Sequence, residues 1–487
     1  MKQKLSRLLE EIKVLEVIGN IDKNVVSLKS DSRKAAKDGI FVAVKGVTTD
    51  GHKYIPVVVS NHVGAVVCEE MPSSLEKGVT YIRVSDSAEA LGLLASAWYD
   101  HPSKKLKLVG VTGTNGKTTT ATLLYEMAKL EGYKAGLLST VCNYIHDRAI
   151  PTTHTTPDPL TLNSLLNDMV LAGCDYAFME VSSHSTEQKR VAGLHFAGGV
   201  FSNLTRDHLD YHKTFDHYRD TKKQLFDQLD KKAFAITNCD DKNGLVMTQN
   251  THAKVYTYST RSMADFRGKI LEESFEGMLL KIDGRECWSS LIGQHNAYNL
   301  LALYTTAVSL GADPEETLMA MSALRPAPGR LENIRGPKDI SVIIDYAHTP
   351  DALENVLKTL REIAPDHELI CLFGCGGDRD RTKRPEMARI AEKMADRIIV
   401  TSDNSRTEKT TDIMADIKAG LELSGRAKSL FIEDREQAIR TAIMIAGQGA
   451  TILLAGKGHE TYQIIGKEKH HFDEKEIVNG IFAEMSI

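Results

Sequence analysis

Between residues 105 and 205, short apolar runs alternate with longer segments whose apolar side chains recur every three or four positions. KLKLVGV (105–111), AGLLST (135–140), YAFMEVS (176–182) and GVFSNLT (199–205) read as strands buried on both faces. The stretch ending at Leu130 and PLTLNSLLNDMVLAG (159–173) read as the helices between them. Such alternation predicts a mostly parallel sheet covered on both sides. Residues 264–293 break the rhythm with alternating stretches and the Asp283-Gly284 turn, predicting a small antiparallel excursion.

Two further series flank this one. Upstream, Phe41–Val44, Ala65–Cys68 and Tyr81–Val84 read as strands separated by turns such as Asp50-Gly51, followed by a helix over 87–100 with Ser87 as a weak cap. Downstream, SVIIDYA (341–347), ELICLFG (368–374), RIIVTSD (397–403), KSLFIED (428–434) and TILLAGKG (451–458) read as strands of a new sheet, with helices near 351–364, 384–395, 411–421 and 436–446. The chain is therefore expected to be α/β with three domains: 1–100, 101–328 and 329–487. HPSKK (101–105) is the expected hinge, and the Pro326/Pro328/Gly329 interruption marks the second boundary.

Charge and cysteine usage narrow the class. With 60 basic against 65 acidic residues, the formal charge of -5 gives no nucleic-acid or anionic-membrane surface. Seven cysteines without a C-x-x-C pair argue against a disulfide scaffold or cysteine-rich zinc module. The first 19 residues lack a signal peptide's apolar core, and no apolar stretch is long enough to span a bilayer, so a cytoplasmic protein is expected.

The strongest chemical signal is Gly110-Val111-Thr112-Gly113-Thr114-Asn115-Gly116-Lys117-Thr118, set between an apolar strand and a helix. Glycines let backbone amides turn toward phosphate oxygens, the helix N-terminus adds its dipole, Lys117 adds a cation, and Thr118 offers a hydroxyl to Mg²⁺. The spacing is G-x-x-G-x-x-G-K-T, with Val where the strict phosphate loop has its first Gly. Glu180 ends the next strand as a candidate metal carboxylate, and Asp207, His208, Asp210 and His212 crowd the loop after another. Each cluster alone also reads as helix caps and paired loop charges; together with the phosphate loop they predict a metal-assisted site. Lys222, on the helical HYRDTKKQLFDQL, reads on its own as a solvated or snorkelling lysine. In the third part Asp345, the GCGGDRDR run, Asp403-Asn404-Ser405-Arg406 and Gly456–Glu460 follow four strands, a pattern suited to an anionic or zwitterionic ligand.

GTNGKTTT (113–120), TTPD (155–158), EVSSH (180–184), TRDHLDYH (205–212), HNAYN (295–299), DYAHTPD (345–351) and GCGGDRD (374–380) occur in one order. In that order the chain closely resembles, over essentially its whole length, the Mur ligases of peptidoglycan synthesis, in particular those adding the third amino acid of the stem peptide. The resemblance implies a small N-terminal α/β domain for a uridine nucleotide, a central P-loop-type ATPase domain and a C-terminal Rossmann-like domain for the incoming amino acid. It also implies ATP and Mg²⁺ as cofactors, UDP-N-acetylmuramoyl-L-alanyl-D-glutamate as substrate, an acyl-phosphate intermediate and a monomer.

Residue by residue, Ser30, Ser32 and the Val47-Thr48-Thr49 turn match positions around UDP. His154, Thr155, Thr156, Ser182, Gln188 and Arg190 match positions holding the UDP-sugar dipeptide. Gly113, Thr114, Asn115, Gly116, Lys117, Thr118 and Thr119 match the ATP phosphate cradle, and Asn296, Asn299, Arg330, Asp345 and His348 the remaining nucleotide surroundings. Thr118, Glu180, His208 and Lys222 match metal positions, Lys222 as the family's carbamylated lysine (N6-carboxylysine); Lys117, Glu180, His208 and Lys222 are the implied catalytic groups.

Family members that use meso-diaminopimelate carry D-N-P-R, whose arginine recognises a distal carboxylate that lysine lacks. Here Asp403, Asn404, Ser405 and Arg406 keep the arginine and replace the proline, and Arg379, Gly456 and Glu460 also match. Diaminopimelate is the expected amino acid, with L-lysine or another diamino acid as the alternative. A folate-polyglutamate type of ligase leaves the N-terminal domain unexplained, and a non-catalytic ATP-binding regulatory protein leaves the DNSR and GKGHE loops unexplained.

Overall fold

The computed structural model describes residues 2–485 apart from 47, 48 and 153. Three sheets carry the chain. The first orders Val14–Ile18, Thr80–Val84, Ala65–Cys68, Ile40–Val42 and Leu28–Lys29, parallel except for its antiparallel first strand. Its inner strand residues are apolar on both faces because helices Leu5–Leu9 and Ser87–Trp98 cover one side and the helix Ile55–Ser60 the other. The helix Ser87–Trp98 follows, and its cap is Asp86, accepting from the Glu89 N–H at 2.9 Å, rather than the expected Ser87. Asp86 holds the extended backbone a cap needs, while Ser87 is already inside the first turn.

The central sheet has eleven strands. Its parallel part runs from Ala135–Leu138 through Tyr176–Glu180, Lys107–Thr112, Gly198–Phe201, Phe234–Asn238 and Lys254–Ser259 to Phe266–Ser274. The irregular stretch after 264 is antiparallel, as expected, but Phe266–Ser274, Gly277–Ile282 and Arg285–Ser289 extend this same sheet. Two apolar cores lie on its opposite faces, one under the helices Lys117–Leu130 and Gln294–Leu310, the other under Pro159–Leu171 and Phe215–Asp227.

The third sheet orders Glu332–Arg335, Ser341–Asp345, Thr451–Ala455, Leu369–Phe373, Arg397–Val400 and Ser429–Phe431, with only its first strand antiparallel. Cys371 and Cys375 are buried in its core. Arg435, fully buried, donates to Glu474 at 2.8 Å and to the carbonyls of Ser402 and Ala455, so one guanidinium staples the last helix, Glu474–Met485, to two strand ends.

The 101–105 segment is a packed 3₁₀ turn, Pro102–Lys104, with Pro102 and Ser103 buried and Ser103 Oγ accepting from the His195 N–H at 2.9 Å. A Pro-Ser-Lys stretch has the composition of a linker, and here the Ser103 side chain is bonded to a backbone N–H 92 residues away. Among the described residues, no helix is long and apolar enough to cross a membrane.

Candidate functional site

Strand order assembles the site. Lys107–Thr112 lies between Tyr176–Glu180 and Gly198–Phe201, so the phosphate loop, Glu180 and the 203–212 loop leave adjacent strand ends. Gly113 (φ 148°) and Gly116 (φ 84°) take backbone conformations that side chains disfavour. A Cβ would also strike Ser202 Oγ at the first and Asn299 Oδ1 at the second. The loop is fixed from outside: Asn203 Oδ1 accepts from the Asn115 N–H at 2.9 Å, Ser202 Oγ donates to the Asn115 carbonyl at 2.6 Å, and Thr114 Oγ1 lies 3.1 Å from the Tyr218 hydroxyl.

Two lysines converge on one carbonyl. Lys117 Nζ donates to Gly113 O at 3.0 Å and to Thr114 O at 2.7 Å, and Lys222 Nζ donates to Gly113 O at 2.8 Å. Lys222 is 2 % exposed and lies 4.8 Å from the Tyr218 ring centroid. Burial, then the Lys117 charge, push its pKa well below the ordinary lysine value against the pull of Asp207. Burial likewise lowers Lys117, opposed by Glu180 and Asp207. Thus the lysine that alone read as a surface residue is inside the site: its helix turns this face inward beneath the phosphate loop.

Glu180 is buried, and its Oε1 accepts from Thr118 Oγ1 at 2.9 Å and the Thr140 N–H at 2.7 Å. Thr118 and Thr119 sit in the first helical turn, both buried. His208 has a left-handed φ of 53°, Nε2 3.4 Å from Asp207 and its ring centroid 4.8 Å from that of His184. Thr118 and Glu180 present hard oxygens of the kind Mg²⁺ takes.

The dipeptide group is contiguous. Thr155 Oγ1 accepts from Thr140, Thr156 Oγ1 donates to the Glu180 carbonyl, and Arg190 donates to the Thr156 carbonyl and to Gln188 Oε1. Ser182 caps the helix Ser183–Glu187, and the His154 N–H donates to Thr152. Ser30, Ser32 and Thr49 stand apart on the N-terminal sheet, Ser32 opening a 3₁₀ turn capped by Asp31 and Thr49 Oγ1 lying 3.5 Å from the Tyr54 hydroxyl. Val47 and Thr48 lie outside the described residues.

Asn296 and Asn299 bond each other at 3.0 Å, and Asn299 accepts from Thr120, joining the helix Gln294–Leu310 to the phosphate-loop helix. Arg330 lies 4.9 Å from the Tyr346 ring centroid, and its buried Nε has no hydrogen-bond partner, an orphan donor that an anionic ligand would satisfy. Asp345 accepts from the Leu331 N–H at 2.8 Å; burial raises its pKa, with Arg330 opposing. His348 Nδ1 donates to the Tyr346 carbonyl at 2.8 Å.

Across the third sheet the four loops meet as their strand order requires. Asn404 donates to Glu460 Oε2 at 2.8 Å, while buried Lys457 reaches Asn404 Oδ1 at 3.2 Å, Glu460 at 3.4 Å and Asp403 at 3.5 Å. Burial raises Glu460, with Lys457 opposing; burial also pushes Asp403 upward, but Lys457 and Arg435 outweigh it and hold it below the usual carboxylate range. Ser405 is buried. Arg406 (φ 51°) donates to the Gly377 carbonyl at 2.8 Å, and its backbone is clasped by Ile464 and Gly466. Arg379 is exposed and donates to its neighbour's carbonyl at 3.5 Å, whereas Gly456, at φ 115°, donates its N–H to the Asp345 carbonyl at 3.0 Å.

Sequence reasoning missed Asn203, Lys457, Asp351 and Arg384 as site-shaping groups. Asp351 accepts from Asn115 at 2.8 Å and Thr205 at 3.1 Å, bridging the second and third sheets. Fully buried Arg384 ties Glu408, Asp416 and the Gly376 carbonyl together beneath the GCGGDRD and DNSR loops. Two carried a signal: Asp351 closes the DYAHTPD motif, and Lys457 lies between two glycines at a strand end.

The sequence profile of the Mur ligase middle domain matches residues 111–307, and that of the Mur ligase glutamate ligase domain matches 329–458. A Bacteroides fragilis protein named UDP-N-acetylmuramoyl-L-alanyl-D-glutamate--2,6-diaminopimelate ligase is 54% identical over 481 residues, covering 99% of both chains. A Parabacteroides distasonis protein of that name is 57% identical over 465 residues, covering 95% of both. A solved structure of a ligase so named superposes with a TM-score of 0.72 at 32% identity, covering 100% of both chains. With matched profiles spanning most of its length and relatives above half identity along nearly all of it, the chain belongs to the Mur ligase family.

Proposed function

We propose that this chain joins meso-2,6-diaminopimelate to UDP-N-acetylmuramoyl-L-alanyl-D-glutamate at the expense of ATP, a step of peptidoglycan precursor synthesis. The observation that carries the reading is the convergence of Lys117 and Lys222 on the Gly113 carbonyl beside buried Glu180. A carboxylate is a poor electrophile. Transfer of the γ-phosphoryl group forms a bond between phosphorus and the glutamyl carboxylate oxygen and breaks the one to ADP, giving an acyl phosphate. Lys117 and the amides of the 113–118 loop stabilise charge on the transferring group. The α-amine of the incoming amino acid then forms the C–N bond, losing a proton as phosphate leaves.

Thr118, Glu180, His208 and a carbamylated Lys222 would hold Mg²⁺, which would supply charge neutralisation at the phosphates. A lysine whose pKa is depressed by burial is the chemical form that adds CO₂, because only the neutral amine is nucleophilic. On the facing sheet, Glu460 and Asp403 suit the ammonium groups of the amino acid, and Arg406 suits its distal carboxylate. Closing the third sheet's loops over the second brings amine and acyl phosphate together and keeps water out. ATP and a UDP-linked substrate are cytoplasmic metabolite types, so the reaction is assigned there.

Phosphate release, measured with the UDP-dipeptide, Mg-ATP and a series of amino acids, tests the reading. Release is expected with meso-diaminopimelate and only weakly with L-lysine. Release independent of any amino acid, or none with the complete mixture, would remove it.

A further inference from the structure

Glu187 and His217, given no role above, meet His212 of the 205–212 motif. Glu187 ends the helix Ser183–Glu187, His212 ends the short helix Leu209–His212, and His217 lies in the first turn of Phe215–Asp227. One ligand atom of each lies within 4.8 Å of the other two. His217 Nε2 is 3.5 Å from Glu187 Oε1, close to the donor spacing of about 3.3 Å that two bonds of about 2.0 Å subtend at a tetrahedral metal.

His212 supplies the second observation. It is 1% exposed, and its buried Nδ1 has no hydrogen-bond partner. Its Nε2 lies 2.9 Å from Ser183 Oγ. With Nε2–H donating to that hydroxyl, Nδ1 keeps a lone pair, the tautomer of a histidine oriented for metal binding. Thr221 Oγ1, which donates to the His217 carbonyl at 2.7 Å, lies 3.1 Å from the other Glu187 oxygen, so Oε1 is the one toward His217.

We propose that Glu187, His212 and His217 form a second metal site, for a zinc-class divalent ion, separate from the Glu180 and His208 set. Two imidazoles and one carboxylate are the donor set zinc prefers over Mg²⁺, which seeks oxygens. The Glu187 and His217 side chains are 33% and 50% exposed, so the ion enters from solvent and a water completes its coordination. The site is a positioning device. It pins the helix leading into Gln188 and Arg190 to the helix bearing Lys222, fixing the dipeptide edge against the phosphate loop.

Tag-free protein, stripped with a chelator, is titrated with zinc chloride in excess Mg²⁺ against a chromophoric chelator, with cobalt(II) absorption as the geometric readout. One zinc per chain at micromolar or tighter affinity is expected, with a tetrahedral cobalt spectrum. His217→Ala, at an exposed position that leaves the fold intact by circular dichroism, should weaken zinc at least about tenfold and abolish that spectrum. Glu187→Gln should do the same, while His471→Ala, in an exposed histidine pair elsewhere, should not. Absence of zinc binding below about 100 μM, or binding undiminished in His217→Ala, overturns the site.

Discussion

The Asn115 carboxamide donates to the Asp351 carboxylate across 2.8 Å, joining the phosphate loop to the first turn of a helix that belongs to the third sheet. Thr205 Oγ1 donates to the same oxygen at 3.1 Å. Burial raises the pKa of Asp351 while these two donors pull it down, so the bridge is a half-buried anion held by neutral partners. It joins the loop after Lys107–Thr112 directly to that helix of the third sheet.

Asp351→Ala removes that link without touching the Lys117, Glu180 or Lys222 groups. Hydrogen bonds to a charged acceptor contribute roughly 1.5–3 kcal/mol. The variant is therefore expected to lose about 10- to 100-fold in kcat/KM for the amino acid, while the fold survives. Steady-state kinetics with each substrate varied in turn checks this; unchanged kcat/KM would show that the bridge does not align the two sides.

Lys117→Ala removes the loop cation. The loss is expected to be about 3–4 kcal/mol of transition-state stabilisation, on the order of 10² to 10³ in rate. Near-normal ligation by folded variant at saturating ATP would contradict the role given to the loop.

How much of this was legible follows sequence distance. The phosphate loop was readable because glycines, lysine and threonine act within six residues at one strand-to-helix junction. Strand order could not be read, yet it is strand order that sets Glu180 and the 203–212 loop beside Lys117. Lys222 looked like any helical lysine because its partner, Gly113, is 109 residues away. At 101–105 composition says linker, while Pro102 and Ser103 are buried and Ser103 bonds His195, 92 residues on. Arg384 and Arg435 were invisible because arginines normally predict surface, and each is buried by a carboxylate brought by another helix or loop.

Lys222 carries a pH signature. Its folded pKa lies below the unfolded value, so the unmodified ammonium subtracts stability below the unfolded pKa of about 10.4, fully so once pH falls beneath the folded pKa. In CO₂-free buffer Lys222→Met should be more stable than wild type at neutral pH, with the difference shrinking as pH rises toward that unfolded value. Bicarbonate should stabilise and activate wild type only, and formate should partly restore Lys222→Ala turnover. Denaturant melts across pH, with and without bicarbonate, check the sign; a wild type indifferent to bicarbonate with an active Lys222→Ala would remove the carbamate.

Arg435→Ala leaves Glu474 buried and unpaired between the last helix and the strand ends. Breaking such a pair from one side costs about 3–5 kcal/mol. Chemical denaturation should show that loss, and Arg435→Met with Glu474→Leu should recover much of it, since desolvated pairs are often replaceable by packed apolar side chains.

Arg406 is the proposed determinant of amino-acid choice. Its guanidinium is held by the Gly377 and Asn404 carbonyls, neutral acceptors that orient it without cancelling its charge. Diaminopimelate and lysine share an α-amine and a second ammonium, so the Asp403, Asn404, Lys457 and Glu460 cluster serves both; only diaminopimelate adds a distal carboxylate for the guanidinium fork. Arg406→Ala is expected to lose roughly 2–5 kcal/mol with diaminopimelate, about 30-fold to several-thousand-fold in kcat/KM, and far less with lysine. Ser405→Pro should be mild, because it changes loop restraint rather than charge. The measurement is kcat/KM for both amino acids in wild type and Arg406→Ala. Equal losses, or a wild-type preference for lysine, would move the specificity determinant off this arginine and onto the groups that read the ammonium ends.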